Sequence, residues 1–336
     1  MRSAEVTGEE RISECIHFNE RADLLVQSLR LNGTDTEPPL AIERLIREER
    51  SNKPPIVLVH GLAQNRYSWR SSTRSLAGKL AAEGHEVLNL ELRGHGNSRA
   101  YGAGNATDFD QYVSDLVRVV ADCEQPPFVI GHSLGGAVGV GAATRIKLSG
   151  LVHLAGVYTF ATDNIAIRAV CRLSLRAEAL LMLSPARMNT GWAGKIIGRL
   201  YRISDIAGYG FPIAGWAPNS IERELLEERL RLGFDWESVE VWLQMCRWAA
   251  GEQLAYAKDF EQLDIPLLVI AGDHDALARP RDAWACFDAS GSSDREIVVF
   301  DNYNHQVHWG HLDLILGRKA PEETWPVLLK WLDDRS

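Results

Sequence analysis

The sequence is poor in cysteine and contains no arrangement of cysteines that suggests a metal centre or a disulfide framework. Its five cysteines are scattered over 336 residues without a C-x-x-C pair, and an odd number cannot pair completely. Scattered thiols of this kind are typical of reduced, buried cysteines in a cytoplasmic protein. We therefore expect no disulfide scaffold.

An excess of positive charge and a long apolar run are also missing. The 36 basic residues are outnumbered by 45 acidic ones, and the net charge of -9 repels nucleic-acid phosphates and anionic lipid head groups. No apolar run approaches the roughly 18 residues of a membrane helix. The charged first residues lack the apolar core of a signal peptide. We expect a cytoplasmic protein with no nucleic-acid partner and no integral membrane segment.

Short aliphatic runs alternate with helical periodicity over most of the chain. Runs without polar alternation are typical of strands buried on both faces of a parallel sheet. The clearest are IVLVHG, HEVLNLEL, PFVI, residues 151–157, PLLVIAG and REIVVFDN. Residues 12–31 predict an additional strand pair. The order predicts an α/β protein built of parallel β-α-β units with right-handed crossovers.

The alternation stops between residues 158 and 262. This segment shows amphipathic helical stretches but no convincing strand, and it is far longer than an ordinary connection. We predict a core domain of residues 1–157 and 263–336, with a helical cap of residues 158–262 inserted into it. Its stretch IERELLEERLRL predicts a solvated helix face. Large adaptable side chains in the insertion suit either an apolar acyl pocket or the cap's own core. They are Trp192, Trp216, Trp236, Trp242, Trp248, Met182, Met188 and Met245.

Residues 131–135 read G-H-S-L-G, the G-x-S-x-G pattern of a serine held on a sharp strand-to-helix turn. The pattern follows the strand PFVI and opens the helical stretch GGAVGVGAATRI, which is the context that the motif requires. We predict that Ser133 is a nucleophile. The plain alternative is an ordinary serine at a helix start.

A nucleophile of this kind needs N–H donors for the negative charge that develops during acyl transfer. The N–H of Leu134 lies at a helix N-terminus, where the dipole favours an anion. A second donor is expected in the loop after IVLV, where Leu62 follows His60 and Gly61. A tight turn with a hydrogen-bonded histidine is the alternative reading of that loop.

The acid that orients the catalytic base is expected after a late strand. Two aspartates follow PLLVIAG, and we favour Asp275 because it lies further into the loop; Asp273 would instead cap the turn. Asp163, after the preceding strand, is a more distant candidate. Simple turn chemistry is the alternative for all three.

The base is expected last in chain order, and three histidines fall in the right region. We favour His311, just ahead of the last helical segment, over His305 and His308. A metal site formed by these histidines with Asp313 is the alternative. Zinc ligands normally come with a matching partner cluster, which the sequence does not offer. We therefore predict no metal and no cofactor.

With these motifs and R-G-H-G-N-S at residues 93–98, the chain resembles the α/β-hydrolase superfamily, in particular serine esterases and lipases. The resemblance runs from about residue 54 to 334, and the tail starting at H-L-D resembles acid lipases and related esterases. It implies the α/β-hydrolase fold, a mostly parallel sheet flanked by helices with a cap, and a triad of Ser133, Asp275 and His311. Glu91 replaces an aspartate common in the family, and we expect the loop to remain intact.

The resemblance further implies a small-molecule ester substrate with a moderately apolar acyl or alcohol part. A nucleophilic serine disfavours the dehalogenase and epoxide hydrolase branches, which use aspartate. Acyl transfer, lactone cleavage and amide cleavage through the same acyl-serine are enzymatic alternatives. A ligand-binding protein without catalysis is the alternative from another class. The oligomeric state is left open.

Overall fold

The computed structural model of the chain describes residues 1–49, 51–183, 187–189 and 215–336. The strands are β1 (Glu5–His17), β2 (Glu20–Leu31), β3 (Leu40–Ile46), β4 (Ile56–Val59), β5 (Val87–Glu91), β6 (Phe128–His132), β7 (Gly150–Leu154), β8 (Arg187–Asn189), β9 (Trp236–Ser238), β10 (Leu267–Gly272) and β11 (Arg295–Phe300). The helices are α1 (Leu76–Ala82), α2 (Gly96–Ala100), α3 (Asp110–Asp122), α4 (Leu134–Ala143), α5 (Ile165–Arg176), α6 (Glu178–Leu183), α7 (Arg223–Leu232), α8 (Val239–Ala249), α9 (Ala257–Phe260), α10 (Pro280–Ala289), α11 (Asp313–Leu316) and α12 (Thr324–Asp333).

Nine strands form one sheet in the order β1-β2-β3-β5-β4-β6-β7-β10-β11. The pairs from β5 to β11 are all parallel, whereas β1, β2 and β3 are antiparallel to their neighbours. This confirms the predicted α/β class with a mostly parallel sheet. It also confirms the strand pair predicted at residues 12–31.

Apolar side chains cover both faces of the parallel strands. In β4, Val57 and Val59 join the cluster on one face, while Ile56 and Leu58 join the cluster on the other. Helices α3 and α4 contribute to the first cluster, and α1 and α12 to the second. A strand that is apolar on both faces therefore lies between two helical layers, as its lack of alternation predicts.

Strand β3 was not predicted, because charged residues interrupt its pattern. Glu43 and Arg44 lie in its middle and make ion pairs: Glu43 with Arg70 at 2.7 Å, and Arg44 with Glu86 at 2.6 Å. The strand pairs with both β2 and β5 in the sheet. Ladder hydrogen bonds and paired charges together allow charged residues in this strand.

One expectation about residues 158–262, the absence of strands, was wrong, and the solvated helix face holds only in part. Strands β8 and β9 pair with each other, and with three residues each they are too short to show alternation. The helix α7 is not a solvated face alone, because Leu225, Leu226, Arg229 and Leu230 are buried. Trp192 lies outside the described residues, as does the side chain of Met188.

Four of the five cysteines are buried, and Cys15 is half-buried. In the part of the chain that the structure describes, no helix has both the length and the hydrophobicity needed to cross a bilayer.

Candidate active site

Ser133 lies between the end of β6 and the start of α4 and has an unusual backbone. Its φ of 57° and ψ of -123° lie in a region that non-glycine residues seldom adopt. Two hydrogen bonds hold it there: its N–H donates to Leu154 O at 3.1 Å, and its carbonyl accepts from Val157 N at 2.9 Å. The sharp turn that the motif predicts is therefore present.

Glycines make this turn possible by allowing close backbone contacts. A Cβ at Gly131 would overlap the carbonyl oxygen of Gly135, and a Cβ at Gly135 would overlap that of Val59. A Cβ at Gly61 would lie only 2.8 Å from Cβ of Ser133. The loop that follows β4 is therefore in direct contact with the serine.

Asp275 and His311 form a buried pair. Nδ1 of His311 donates to Oδ2 of Asp275 at 2.7 Å, and both residues are buried. The other carboxylate oxygen, Oδ1, accepts the N–H groups of Leu277 at 2.7 Å and Ala278 at 2.9 Å. With the proton on Nδ1, Nε2 of His311 is an acceptor, and among the described residues it has no hydrogen-bond partner.

The alternative acid and base also pair with each other. Nδ1 of His308 donates to Oδ2 of Asp273 at 2.6 Å, but the side chain of His308 is 37% exposed. His305 packs on Phe300 and accepts the N–H of Asp301.

Asp163 forms an ion pair with Arg281 at 3.1 Å. Asp163 is therefore paired with an arginine and not with a histidine. Among the acids and bases predicted from the sequence, Asp275 and His311 form the buried pair.

His132 connects the serine turn to this pair. Its ring lies 4.5 Å from the ring of His311, and its Nε2 donates to His311 O at 3.2 Å. Burial, with a smaller effect from His311, lowers the pKa of His132 well below its usual value, so this imidazole is neutral. Ser133, Asp275 and His311 thus follow the carboxyl ends of parallel strands at one edge of the sheet, where ligands bind in open α/β sheets.

The loop of residues 61–65 is held by the segment 232–238. Glu237 accepts the N–H of Ala63 at 2.7 Å and the hydroxyl of Tyr112 at 2.7 Å. The carbonyl of Ala63, whose φ is 53°, accepts the N–H of Asp235 at 2.8 Å. Both backbone groups of this strained residue are thereby bonded, one position after Leu62.

Glu237 is also one half of a buried charge pair. Its carboxylate lies 3.5 Å from Nε2 of His95. Burial alone would lower the pKa of His95, but the neighbouring Glu237 raises it above its usual value. Burial would conversely raise the pKa of Glu237, and the contact with His95 lowers it. Glu237 could not be predicted from the sequence, because no local pattern marks a residue that acts on a loop so far away in sequence.

The R-G-H-G loop is intact despite the replacement at Glu91. The Glu91 carboxylate accepts the N–H of Asn97 at 2.9 Å and pairs with Arg66 at 3.1 Å. It occupies the space that a Cβ at Gly96 would need. Arg93 binds the buried Asp115 through both its backbone N–H and its guanidinium.

Asp313 supports the segment that carries His311. Its Oδ2 accepts the N–H groups of Gly310 at 2.6 Å and Ala217 at 2.9 Å, and its Oδ1 accepts the hydroxyl of Ser220 at 2.6 Å. Burial raises the pKa of Asp313 to about 6 in spite of these donors. Asp313, which the sequence offered as an alternative metal ligand, is therefore bonded to backbone and hydroxyl groups.

Asp313 should leave a signature in the pH dependence of stability. An unfolded aspartate releases its proton near pH 4, so between about pH 4 and 6 the folded chain holds more protons than the unfolded one. The contribution of this group to the free energy of unfolding therefore falls as the pH rises through that interval.

We expect Asp313→Asn to remove that fall. Between pH 4 and 7, the free energy of unfolding of the variant should therefore rise relative to that of the wild type by up to about 3 kcal/mol. The amide oxygen can accept the N–H groups of Gly310 and Ala217. The amide NH2 can donate to the hydroxyl of Ser220. Urea unfolding at several pH values measures the difference, and other titrating groups cancel between the two proteins. Parallel pH profiles would contradict the expectation.

A parallel sheet that bears a serine turn and a buried acid–histidine pair at its carboxyl edge defines a class of hydrolase-like proteins. The comparison with known families agrees with that class, because the Alpha/beta hydrolase family matches residues 56–316. The chain belongs to this family, and the predicted α/β-hydrolase fold is confirmed.

Individual relatives are distant. An uncharacterized abhydrolase domain-containing protein of Dictyostelium discoideum is 22% identical over 285 residues, 83% of this chain but 26% of that protein. The chain thus spans about a quarter of that relative's length. The (E)-2-((N-methylformamido)methylene)succinate hydrolase of Acinetobacter baylyi is 24% identical over 85% of this chain and 92% of its own.

Among solved structures, a soluble variant of monoglyceride lipase from Saccharomyces cerevisiae superposes with a TM-score of 0.65. It is 16% identical to the chain and covers 97% of it and 99% of the lipase. At this identity the likeness concerns the fold.

Proposed function

We propose that the chain is a serine hydrolase that cleaves carboxylic esters with a moderately apolar acyl or alcohol part. The observation that carries this proposal is the buried Asp275–His311 pair. Within the described part of the chain, Nε2 of His311 has no hydrogen-bond partner. The ring of His311 also contacts the ring of His132, the residue before Ser133. A base that is oriented on one side and free to accept a proton on the other is what a serine nucleophile requires.

In the proposed reaction, Nε2 of His311 accepts the hydroxyl proton of Ser133 as its oxygen attacks the ester carbonyl. Asp275 keeps the proton of the imidazole on Nδ1 and stabilises the imidazolium that forms. His311 then protonates the leaving alcohol, which leaves an acyl-serine. A water molecule, deprotonated by the same imidazole, releases the acid and restores the enzyme.

The negative oxygen of the intermediate is proposed to bind the N–H groups of Leu62 and Leu134. Leu134 is the first residue of α4, and the first N–H groups of a helix have no partner within it. Leu62 follows Gly61, which contacts Ser133. Two donors fixed by the backbone can stabilise the oxyanion without rearranging during the reaction.

Exposed apolar side chains on α5 and α6 support an apolar substrate. They are Ile165, Val170, Leu173, Leu180 and Met182. We propose that residues 158–262 form a cap and that this face meets the apolar part of the ester. Other large side chains of this segment have a structural role, since Met245 and Trp216 are buried in the two apolar clusters on either side of the sheet.

A series of p-nitrophenyl esters of increasing acyl length tests the proposal. We expect hydrolysis that is favoured by medium-length acyl chains, and labelling of Ser133 by a fluorophosphonate. Hydrolysis of acetate and butyrate esters only would contradict the apolar acyl preference. No hydrolysis of any ester and no labelling would contradict the serine hydrolase and favour a ligand-binding protein.

Glu237 provides a prediction about the loop that carries Leu62. Glu237→Ala would leave the buried N–H of Ala63 without its acceptor. We expect kcat to fall about 10-fold or more, less than the 10²–10³-fold loss typical when an oxyanion donor itself is deleted. KM should change little, because the loop is proposed to act in the transition state.

Glu237→Gln should restore most of kcat, since its amide oxygen can still accept from Ala63. Glu240→Gln is the matched control, because Glu240 accepts only from the hydroxyl of Ser238 among the bonds described. Equal losses of kcat in the Gln and Ala variants, or a rise in KM alone, would contradict a positioning role. Thermal unfolding of each variant separates this role from a loss of folding.

A further inference from the structure

A second group of polar side chains lies beside the Asp275–His311 pair but is separate from it. Within the described residues, Asp273, His274 and His308 bring one carboxylate oxygen and two ring nitrogens within 4.8 Å of one another. Oδ2 of Asp273 lies 2.6 Å from Nδ1 of His308 and 3.8 Å from Nε2 of His274. The two imidazole rings lie close together, with their centroids 3.9 Å apart and their planes tilted by 41°.

From this arrangement we propose a binding site for one divalent transition-metal ion, of the Zn²⁺ type, on Asp273, His274 and His308. Two imidazoles and a carboxylate are a ligand set that suits zinc and its neighbours, whereas Mg²⁺ and Ca²⁺ prefer oxygen ligands throughout. The proposal is independent of the proposed hydrolase function.

The backbone around the cluster is already fixed. Oδ1 of Asp273 accepts the N–H of Trp309 at 2.8 Å, which directs Oδ2 towards the histidines. The N–H of Asp273 donates to Phe300 O, and that of His274 donates to Trp309 O, both at 2.9 Å. Outer hydrogen bonds of this kind orient metal ligands, and they lower the cost of assembling the site.

The distances require only side-chain rotation. Zinc binds nitrogen and carboxylate oxygen at about 2.0–2.2 Å, so neighbouring ligand atoms around it lie roughly 3–3.5 Å apart. The ion would enter between Oδ2 of Asp273 and Nδ1 of His308, whose shared proton moves to solvent or to Nε2. The histidine side chains are each 37% exposed, which leaves the remaining coordination positions to water.

The ion would join two loops of the candidate active site. Asp273 lies two residues before Asp275, and His308 lies three residues before His311. A metal bound to Asp273 and His308 would therefore tie the loop of the acid to the segment of the base. Zn²⁺ should consequently raise the melting temperature of the protein.

Titration of the chelator-treated full-length chain with Zn²⁺ alone tests the site, by calorimetry and by equilibrium dialysis. We expect one Zn²⁺ per chain and a rise in melting temperature. Asp273→Asn and His308→Ala should weaken binding by more than about 100-fold, the upper end of losses seen when only an outer partner is removed. Both variants should abolish the thermal shift.

His305→Ala is the matched control, because His305 belongs to the same segment but lies on the ring of Phe300. It should retain one Zn²⁺ per chain. Asp273→Asn preserves shape and an acceptor for Trp309, so it keeps the test valid if His308→Ala folds poorly. Absence of a stoichiometric Zn²⁺ in the wild type would overturn the site. Equal binding in wild type and both ligand variants would also overturn it.

Discussion

Ser133→Ala is expected to lower kcat for ester hydrolysis by about 10⁴-fold or more, with a small change in KM. The hydroxyl is the atom that forms the acyl-enzyme in the proposed mechanism, and water cannot replace it on the strained turn between β6 and α4. Losses of this size are typical when the nucleophile of an acyl-serine enzyme is removed, because only binding and oxyanion stabilisation remain. Steady-state kinetics with the best p-nitrophenyl ester measures the loss.

Ser149→Ala is the control for this experiment. Ser149 directly precedes β7, at the opposite edge of the sheet, and its hydroxyl donates to Pro126 O. Its removal should leave kcat within about two-fold. Fluorophosphonate labelling should disappear in Ser133→Ala and persist in Ser149→Ala. A Ser133→Ala enzyme that keeps a tenth of the wild-type activity would contradict the assignment of the nucleophile.

Asp275→Asn is expected to lower kcat by about 10⁴-fold, although asparagine has nearly the same shape. Oδ1 of Asp275 accepts two backbone N–H groups, from Leu277 and Ala278. These donors will hold the amide oxygen of asparagine in that place and turn its NH2 group towards His311. Nδ1 of His311 must then accept a hydrogen bond, so the ring proton moves to Nε2. A protonated Nε2 cannot accept the proton of Ser133, which is the physical reason for the loss.

Asp163→Asn is the control for this variant, since Asp163 is an acid of the neighbouring loop that pairs only with Arg281 in the contacts described. It should leave kcat within about two-fold. A loss smaller than about 10-fold in Asp275→Asn would contradict its role as the orienting acid. A greater loss in Asp273→Asn would assign that role to Asp273.

Features decided by neighbours in sequence could be predicted without coordinates. The run PFVI with G-H-S-L-G identified the strand, the turn and the helix around Ser133. Aliphatic runs without alternation indicated strands buried on both faces, and the structure confirms a mostly parallel sheet. Such features depend on backbone sterics and on the periodicity of apolar residues, and both are local properties.

Which side chains of distant segments pair with each other was harder to predict from the sequence. The sequence left Asp273 and Asp275 in competition, and likewise His308 and His311. The structure forms both acid–histidine pairs and distinguishes them by burial. A short loop can point successive side chains in different directions, so chain order does not specify which pairs form.

The burial of charged residues also depends on packing between distant segments, and it can differ from what the local sequence pattern predicts. Arg229 belongs to a stretch whose pattern predicts a solvated helix face, yet the residue is buried. Its guanidinium lies over the ring of Phe234 and donates a hydrogen bond to the hydroxyl of Ser68. Burial lowers the pKa of Arg229 to about 10. The residues that surround a charge come from remote segments, so its burial could not be predicted from the helix alone.

The sequence by itself determined the fold class and the position of the serine turn, because apolar periodicity and glycine spacing act over a few residues. Only the tertiary structure decided that Asp275 pairs with His311, that Glu237 holds the loop of Leu62, and that Asp313 supports the segment of His311. Each of these contacts joins residues that meet only after the sheet has formed, and burial then gives their charges and hydrogen bonds the strength that an open chain lacks.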